Sequence, residues 1–164
     1  MDTSIQLVFY AGLFFCLKHF IADGLLQTTY QYTNKGKWGH LGGLIHSGNH
    51  ALLTLPSFVL PFVLIDSGKP LWYIMAFGLI AAMGDFIFHY LIDLTKIKIT
   101  ERFGWTVMGT GTTKTDTKGR KALLIYDNKY FWAIMADQCL HFLTYIVLLC
   151  LMLAILLHTP QISA

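Results

Sequence analysis

Apolar residues fill four long stretches of the chain, near positions 4–27, 42–65, 71–95 and 130–157. Each reaches the roughly 20 residues that a helix needs to cross about 30 Å of hydrocarbon. The polar residues inside these stretches are not scattered. They read His19-x-x-x-Asp23, His46-x-x-x-His50, Asp85-x-x-x-His89-x-x-x-Asp93 and Asp137-x-x-x-His141. Residues four apart share one face of a helix, so every stretch presents adjacent polar heads on one side. The pattern predicts an all-α fold: an integral membrane bundle of four transmembrane helices forming a single domain over residues 1–164.

Composition agrees with the pattern. The chain is 55% hydrophobic and 13% charged, with a mean hydropathy of +0.54, values of a membrane protein and not of a soluble domain. The Met1-Asp2-Thr3-Ser4 start lacks the basic segment of a signal peptide, so the first stretch is expected to be retained. Cys16, Cys139 and Cys150 all fall inside predicted spans, are odd in number and form no Cys-x-x-Cys motif. They are read as small apolar core residues without disulfides.

The net charge of +3 is unevenly placed. Lys35 and Lys37 lie in the loop 28–41. Lys96, Lys98, Arg102, Lys114, Lys118, Arg120, Lys121 and Lys129 lie in or bound the loop 96–129. The opposite side has only Lys69, and Lys18 falls within the first span, where a lysine ordinarily snorkels to the interface. The positive-inside rule puts loops 28–41 and 96–129 in the cytoplasm and both termini outside. An anionic inner leaflet accounts for this basic side, so no nucleic-acid partner is expected. All four polar clusters then lie at similar depth in the cytoplasmic half, while Pro56 and Pro61 are expected to bend the outer half of the second helix. In the third loop, Gly109-Thr110-Gly111-Thr112-Thr113 and Thr117-Lys118-Gly119-Arg120 read as turns. Residues 103–107 and 122–126 read as two short strands or a small hairpin. The Gly/Thr/Lys stretch lacks the spacing of a phosphate-binding P-loop.

Ionisable groups inside a membrane are costly and by default mark a function. Imidazole with carboxylate is the ligand set of divalent zinc, iron and manganese. His19, Asp23, His46, His50, His89, Asp93, Asp137 and His141 are the candidate metal ligands, with Asp85 and Asp93 as candidate catalytic groups, Asp85 acting as base or as a support behind the ligands. Zinc suits the set best. One zinc uses three or four protein ligands, so this number of groups favours two ions sharing a carboxylate. Ser47 stands where soluble metalloproteases carry the glutamate after their first histidine. A general base must therefore be an aspartate or water activated by the metal. Lys96, one turn past Asp93, either pairs with it or reaches the interface. Gln27 and Gln138 are read either as hydrogen-bond donors behind the ligands or as helix-end polar residues, and His40 and His158 as surface residues.

The string His19-Phe20-Ile21-Ala22-Asp23-x-x-x-Gln27, then Lys35, then His46-x-x-x-His50, resembles an uncharacterised family of short bacterial and phage membrane proteins. His89-x-x-x-Asp93-x-x-Lys96 and Asp137-Gln138-x-x-His141 are similar to its other two motifs, in the same order. Gly24 departs from the aromatic residue expected after the first aspartate, and Asp85 and the long third loop have no counterpart. The resemblance implies a four-helix protein of the bacterial inner membrane with a polar cluster; it implies no substrate.

Three functions fit the residues. One is a membrane-embedded metal-dependent hydrolase acting on an anionic lipid headgroup or a cytoplasmic small molecule. Another is a metal or proton transporter or sensor, since chains of Asp and His also relay protons. The third is a structural or interaction protein, single or oligomeric, whose polar cluster only fastens helices together.

The charge asymmetry makes a direct prediction. A reporter fused after Asp116 should be active in its cytoplasmic form, and a tag after Ala164 should be accessible from outside intact cells. The reverse result places the polar clusters against the outer leaflet.

Overall fold

A computed structural model describes residues 2–105, 114–115, 121–122 and 128–158 of the chain. Helix α1 (Thr3–Phe20) starts at Asp2, whose side chain accepts from the Ser4 amide at 2.7 Å, and runs into a π-helical turn, Ile21–Leu25. A short helix α2 (Thr29–Asn34) follows, then α3 (Leu41–Leu64), α4 (Leu71–Arg102) and α5 (Asn128–His158). Four helical segments are long and apolar enough to cross a membrane, as the pattern predicts: α1 with its π turn, α3, α4 and α5.

The boundaries differ from expectation where local hydrogen bonding outweighs hydropathy. α4 continues through Lys96 to Arg102, so the first part of the predicted third loop is helix. At 32 residues it is about 48 Å long, well beyond the hydrocarbon thickness. Phe103 and Gly104 form the turn that ends α4, not a strand. The described antiparallel pairing joins β1 (Lys114–Thr115) to β2 (Lys121–Ala122). The predicted turns at 109–113 and 117–120, and positions 106–107 and 123–126 of the predicted strands, lie outside the described residues. Helix α2, in the first loop, is nucleated by a capping box: Thr28 Oγ1 accepts from the Gln31 amide at 3.3 Å and Gln31 Oε1 from the Thr28 amide at 2.9 Å. α3 remains one helix through Pro56 and Pro61.

The helices bury one stripe each and turn the rest outward. Toward the end of the bundle that holds both termini the stripes meet in an apolar core of Leu7, Ala11 and Phe15 from α1, Phe58 and Phe62 from α3, Ile74 and Ala81 from α4, and Leu148, Met152 and Ile155 from α5. All three cysteines are exposed on the outer surface instead of buried in this core. Free thiols behave as small apolar groups and are at home on a lipid-facing surface, which hydropathy alone cannot tell from a core position.

Continuing each stripe by three or four residues leads out of the apolar core into polar layers. The first contains Lys18, Thr54, Asp85 and Tyr145, one from each long helix. Lys18 does not snorkel: its side chain is 1% exposed and its ammonium pairs with Asp85. Thr54 Oγ1 lies 2.8 Å from both Lys18 Nζ and Asp85 Oδ2, and the ammonium stands 4.6 Å from the centre of the Tyr145 ring. Lys18 falls on the buried stripe 7-11-15-18-22 of α1, so turning it to the interface would require rotating the whole helix.

A close approach holds α2 against the start of α3. A Cβ on Gly43 would come within 3.3 Å of the Lys35 backbone, and one on Gly42 within 3.0 Å of the Tyr30 carbonyl oxygen. The missing side chains let the turn after α2 settle onto α3, which points Lys35 into the bundle.

The Lys18–Asp85 pair yields a stability prediction. Breaking a buried pair leaves an uncompensated charge, a loss of about 3–5 kcal/mol. Lys18→Met and Asp85→Leu should each lower resistance to unfolding in detergent steeply. The double variant Lys18→Met/Asp85→Leu should recover most of that loss, and strict additivity of the two losses would disprove the pairing.

Candidate metal centre

Below the Lys18 layer come two further layers, reached by steps of four residues on α3, α4 and α5 and by the adjacent His19 on α1. His19, His50, His89 and His141 form one, and Asp23, His46, Asp93 and Asp137 the next. Every candidate ligand therefore faces the interior of the bundle. His50, His89 and His141 stack in a column, with ring centroids 3.5 and 4.0 Å apart and His89 in the middle.

Two groups of side chains are placed to hold a metal ion: Asp23, His46, His50 and His89, and then His89, Asp93 and His141. Within each, one potential ligand atom per residue lies within 4.8 Å of all the others. In the first group, His46 Nε2 is 3.3 Å from His89 Nε2 and 3.4 Å from Asp23 Oδ1, which is 3.1 Å from His50 Nε2. A tetrahedral ion with ligands at 2.0–2.1 Å separates them from one another by about 3.3 Å. These three separations match the edges of such a tetrahedron, and the other three are no longer than 4.8 Å. On the other side of His46, Asp93 Oδ2 lies 3.2 Å from His46 Nε2 and 3.6 Å from His89 Nε2.

Further polar atoms of these layers are unmatched. His50 Nδ1, His89 Nδ1, Asp93 Oδ2 and Asp137 Oδ1 are buried and make no hydrogen bond. An unsatisfied buried polar atom costs about 1–3 kcal/mol, so such a concentration needs a compensating partner. A cation in the second group supplies one for Asp93 Oδ2.

The remaining candidates hold supporting places outside both groups. His19 is engaged on both ring nitrogens: Nδ1 lies 2.8 Å from Tyr145 Oη, and Nε2 lies 3.0 Å from Gln138 Oε1 and 3.1 Å from Asp23 Oδ2. It orients Asp23, as a carboxylate's neighbours commonly do behind a metal. Asp137 Oδ1 is 3.6 Å from His141 Nε2, while its Oδ2 is 3.8 Å from Lys96 Nζ. Lys96 thus approaches Asp137 and not Asp93. Asp93 takes Lys35 instead, at 3.0 Å. Asp85 is placed on Lys18 and Thr54, in the layer above the ligands.

Lys35, Gln27 and Tyr145 are the functional neighbours that helical periodicity alone does not single out. Gln27 Nε2 comes within 3.2 Å of His46 Nδ1 and 3.3 Å of its Nε2. Lys35 arrives from the end of α2, and its signal was its place between two motifs, not its depth. Of the two histidines read as surface residues, His158 is exposed and His40 is half-buried, accepting from the Gly42 amide at 3.1 Å to cap α3.

The π turn carries Asp23. Leu26 N donates to Ile21 O at 2.9 Å, five residues back, which widens the helix at this point. That widening brings Asp23 toward His50 and His46 on α3 while it still meets His19 on its own helix. A cavity of about 390 Å³ between α1 and α5, lined by Cys16, His19, Phe20, Asp23, Gln138 and Phe142, opens onto the same carboxylate. It is a passage from the bundle's surface to the ligand layer.

No family model, curated protein or solved structure matched this chain.

Ligands and helix fasteners respond differently to substitution. His50→Asn keeps a hydrogen-bonding amide but is a far poorer ligand than imidazole for zinc or iron. His50→Asn and Asp23→Asn should both lose metal, read by elemental mass spectrometry, while membrane insertion stays intact because the outer core is untouched. Unchanged metal content in both variants excludes the first group as a metal site.

Proposed function

We propose that this protein is a membrane-embedded metal-dependent hydrolase whose centre lies on the cytoplasmic side of a bacterial inner membrane. The observation that carries the reading is the group Asp23, His46, His50 and His89, with three donor separations close to the edges of a tetrahedron and a second group sharing His89 beside it. Nitrogen and carboxylate oxygen donors without thiolate suit zinc, with iron and manganese as the other candidates. A divalent ion held there supplies Lewis acidity and activated water near neutral pH.

The residues divide the remaining work. Asp93, a member of the second group, is also the candidate general base, because its Oδ2 is buried, makes no hydrogen bond and lies 3.2 Å from His46 Nε2 of the first group. Lys35 balances the charge of Asp93 on its other oxygen and fixes the direction of that carboxylate. His19, Tyr145 and Gln138 hold Asp23 in place. The passage between α1 and α5 admits water to the ligand layer. Lys35, Lys37, Lys96, Lys98 and Arg102 crowd this end of the bundle against Lys69 at the other, which supports a cytoplasmic location.

Two observations weigh against the other functions. The outer half is closed by the core running from Leu7 to Ile155, and its described residues offer no polar path for a transported ion. The Lys18–Asp85–Thr54 layer already joins three helices through satisfied polar contacts. The ligand layers join helices as well, but they leave buried atoms unmatched, which a purely structural role does not require.

The experiment is metal analysis joined to turnover. Protein purified without a metal-binding tag should contain zinc, iron or manganese, and in vesicles of bacterial lipid extract it should hydrolyse a component in a metal-dependent way. Asp93→Asn should retain at least part of the metal and lower turnover by about 100-fold, the scale expected for removing a general base. Protein from cells that carries no metal after gentle purification refutes the proposal.

A further inference from the structure

A groove runs along the lipid-facing side of the bundle between α4 and α5. It consists of two cavities, of about 320 and 400 Å³, that share Phe88, Ile92 and Leu140 as walls and so adjoin each other. Each is within the range of about 300–1,000 Å³ common to small-molecule sites. On α4 the walls extend from Ile80 to Ile99, about 28 Å along the axis. That exceeds one leaflet of hydrocarbon, about 15 Å.

The two ends of the groove differ. The end toward Ile80 and Leu151 is mainly apolar, with Asp85 and Thr144 the polar residues in the lining of that cavity. The other is closed by Lys96, Asp137 and Trp105. Tryptophan is enriched at the level of lipid headgroups, so Trp105 and Lys96 together mark this end as interfacial. The Lys96 ammonium lies 3.8 Å from Asp137 Oδ2, too far for a hydrogen bond, and its side chain is 15% exposed. It therefore keeps donors for an approaching phosphate. Asp137 in turn lies between Lys96 and His141, so a headgroup at Lys96 stands one side chain from the second ligand group.

From this geometry we infer that the α4–α5 groove takes up a glycerophospholipid laterally from the bilayer, one acyl chain along Phe88, Ile92 and Leu140 and the phosphate at Lys96. The inference rests on the hydrolase reading only in naming the lipid as its substrate class; the binding stands by itself. A membrane lipid is the occupant because the groove opens on a surface that exposes Ile80, Phe88 and Val147, where acyl chains are the surrounding solvent. The positive charge at the interfacial end matches a phosphate and not the bare hydroxyl of a diacylglycerol. Water for a hydrolytic step enters from the opposite flank of α5, through the passage beside Asp23.

The test is photolabelling of the full chain in vesicles of phosphatidylethanolamine and phosphatidylglycerol, doped with a phosphatidylglycerol that carries a diazirine at mid-chain. Labels mapped by mass spectrometry should concentrate on groove residues such as Phe88, Ile92 and Leu140 over the outward face of α1 at Phe9 and Leu13. Gly84 lines the groove, and a Cβ there meets nothing within 4 Å, so Gly84→Leu fills the space without a backbone clash. It should remove the groove labels while the α1 background persists. Lys96→Gln should lower groove labelling by about tenfold, the worth of one charge-assisted hydrogen bond. A diacylglycerol with the same diazirine chain should label the wild type as weakly as the phospholipid labels Lys96→Gln.

Uniform labelling around the bundle, groove labels that survive Gly84→Leu, or protomer-to-protomer crosslinks in place of lipid would each overturn the proposal. Metal content measured on the same samples separates the two readings. Groove labelling in a protein without metal removes the hydrolase and keeps the lipid site; metal without groove labelling does the reverse.

Discussion

The ammonium of Lys18 and the carboxylate of Asp85, enclosed together between apolar helices, set the register of this bundle. Neither ion is tolerable there alone, and Thr54 and the Tyr145 ring complete their surroundings. The pair fixes α1 against α4 in rotation and in depth, while Thr54 ties in α3. Once that layer is fixed, helical spacing has no choice about the next. One turn further along α3, α4 and α5 come His50, His89 and His141, joined by His19, which follows Lys18 directly on α1, and one turn beyond these four lie Asp23, His46, Asp93 and Asp137. The ligand layers are thus a consequence of the ion pair above them, and the apolar core on its other side keeps the pair dry.

This arrangement divides labour between stability and chemistry. The Lys18 layer satisfies its polar atoms internally and so holds helices together. The histidine and aspartate layers leave buried atoms unmatched, a cost accepted only where an outside partner completes the set. The two lysines at the bottom of the stack act as counterweights: Lys35 meets Asp93 closely, Lys96 meets Asp137 loosely. That difference in closeness separates a carboxylate held in one direction from one that can still exchange partners.

Much of this was legible in the sequence because membrane helices obey few rules. Length and hydropathy give the four spans, and the i, i+4 spacing gives the shared face of each polar pair. Equal depth follows from where each pair falls within its span. What escaped has physical causes. Lys18 was read by its residue type, as a snorkelling lysine, although its place on the stripe 7-11-15-18-22 points inward; a partner on another helix, Asp85, decides the matter and no single helix shows it. Lys35 is carried inward by the approach of α2 to Gly42 and Gly43, a tertiary contact. The π turn at Ile21–Leu25 has no composition of its own, and the extension of α4 to Arg102 lies beyond the point where hydropathy stops reporting on helix. The cysteines were assigned to the core by their preference for apolar surroundings, which in a bilayer lie on both sides of a helix.

The distribution of ligands along the chain has a consequence for biogenesis. Asp23, His46, His50 and His89 all precede residue 90, so every donor of the first group is made before α5 is translated. The second group depends on His141, from the last helix. Synthesis from the N-terminus therefore supplies all four side chains of the first group before α5, which adds His141 to the second. The final helix, bordered by cavities on both flanks, is thus the element on which the second group, and not the first, depends.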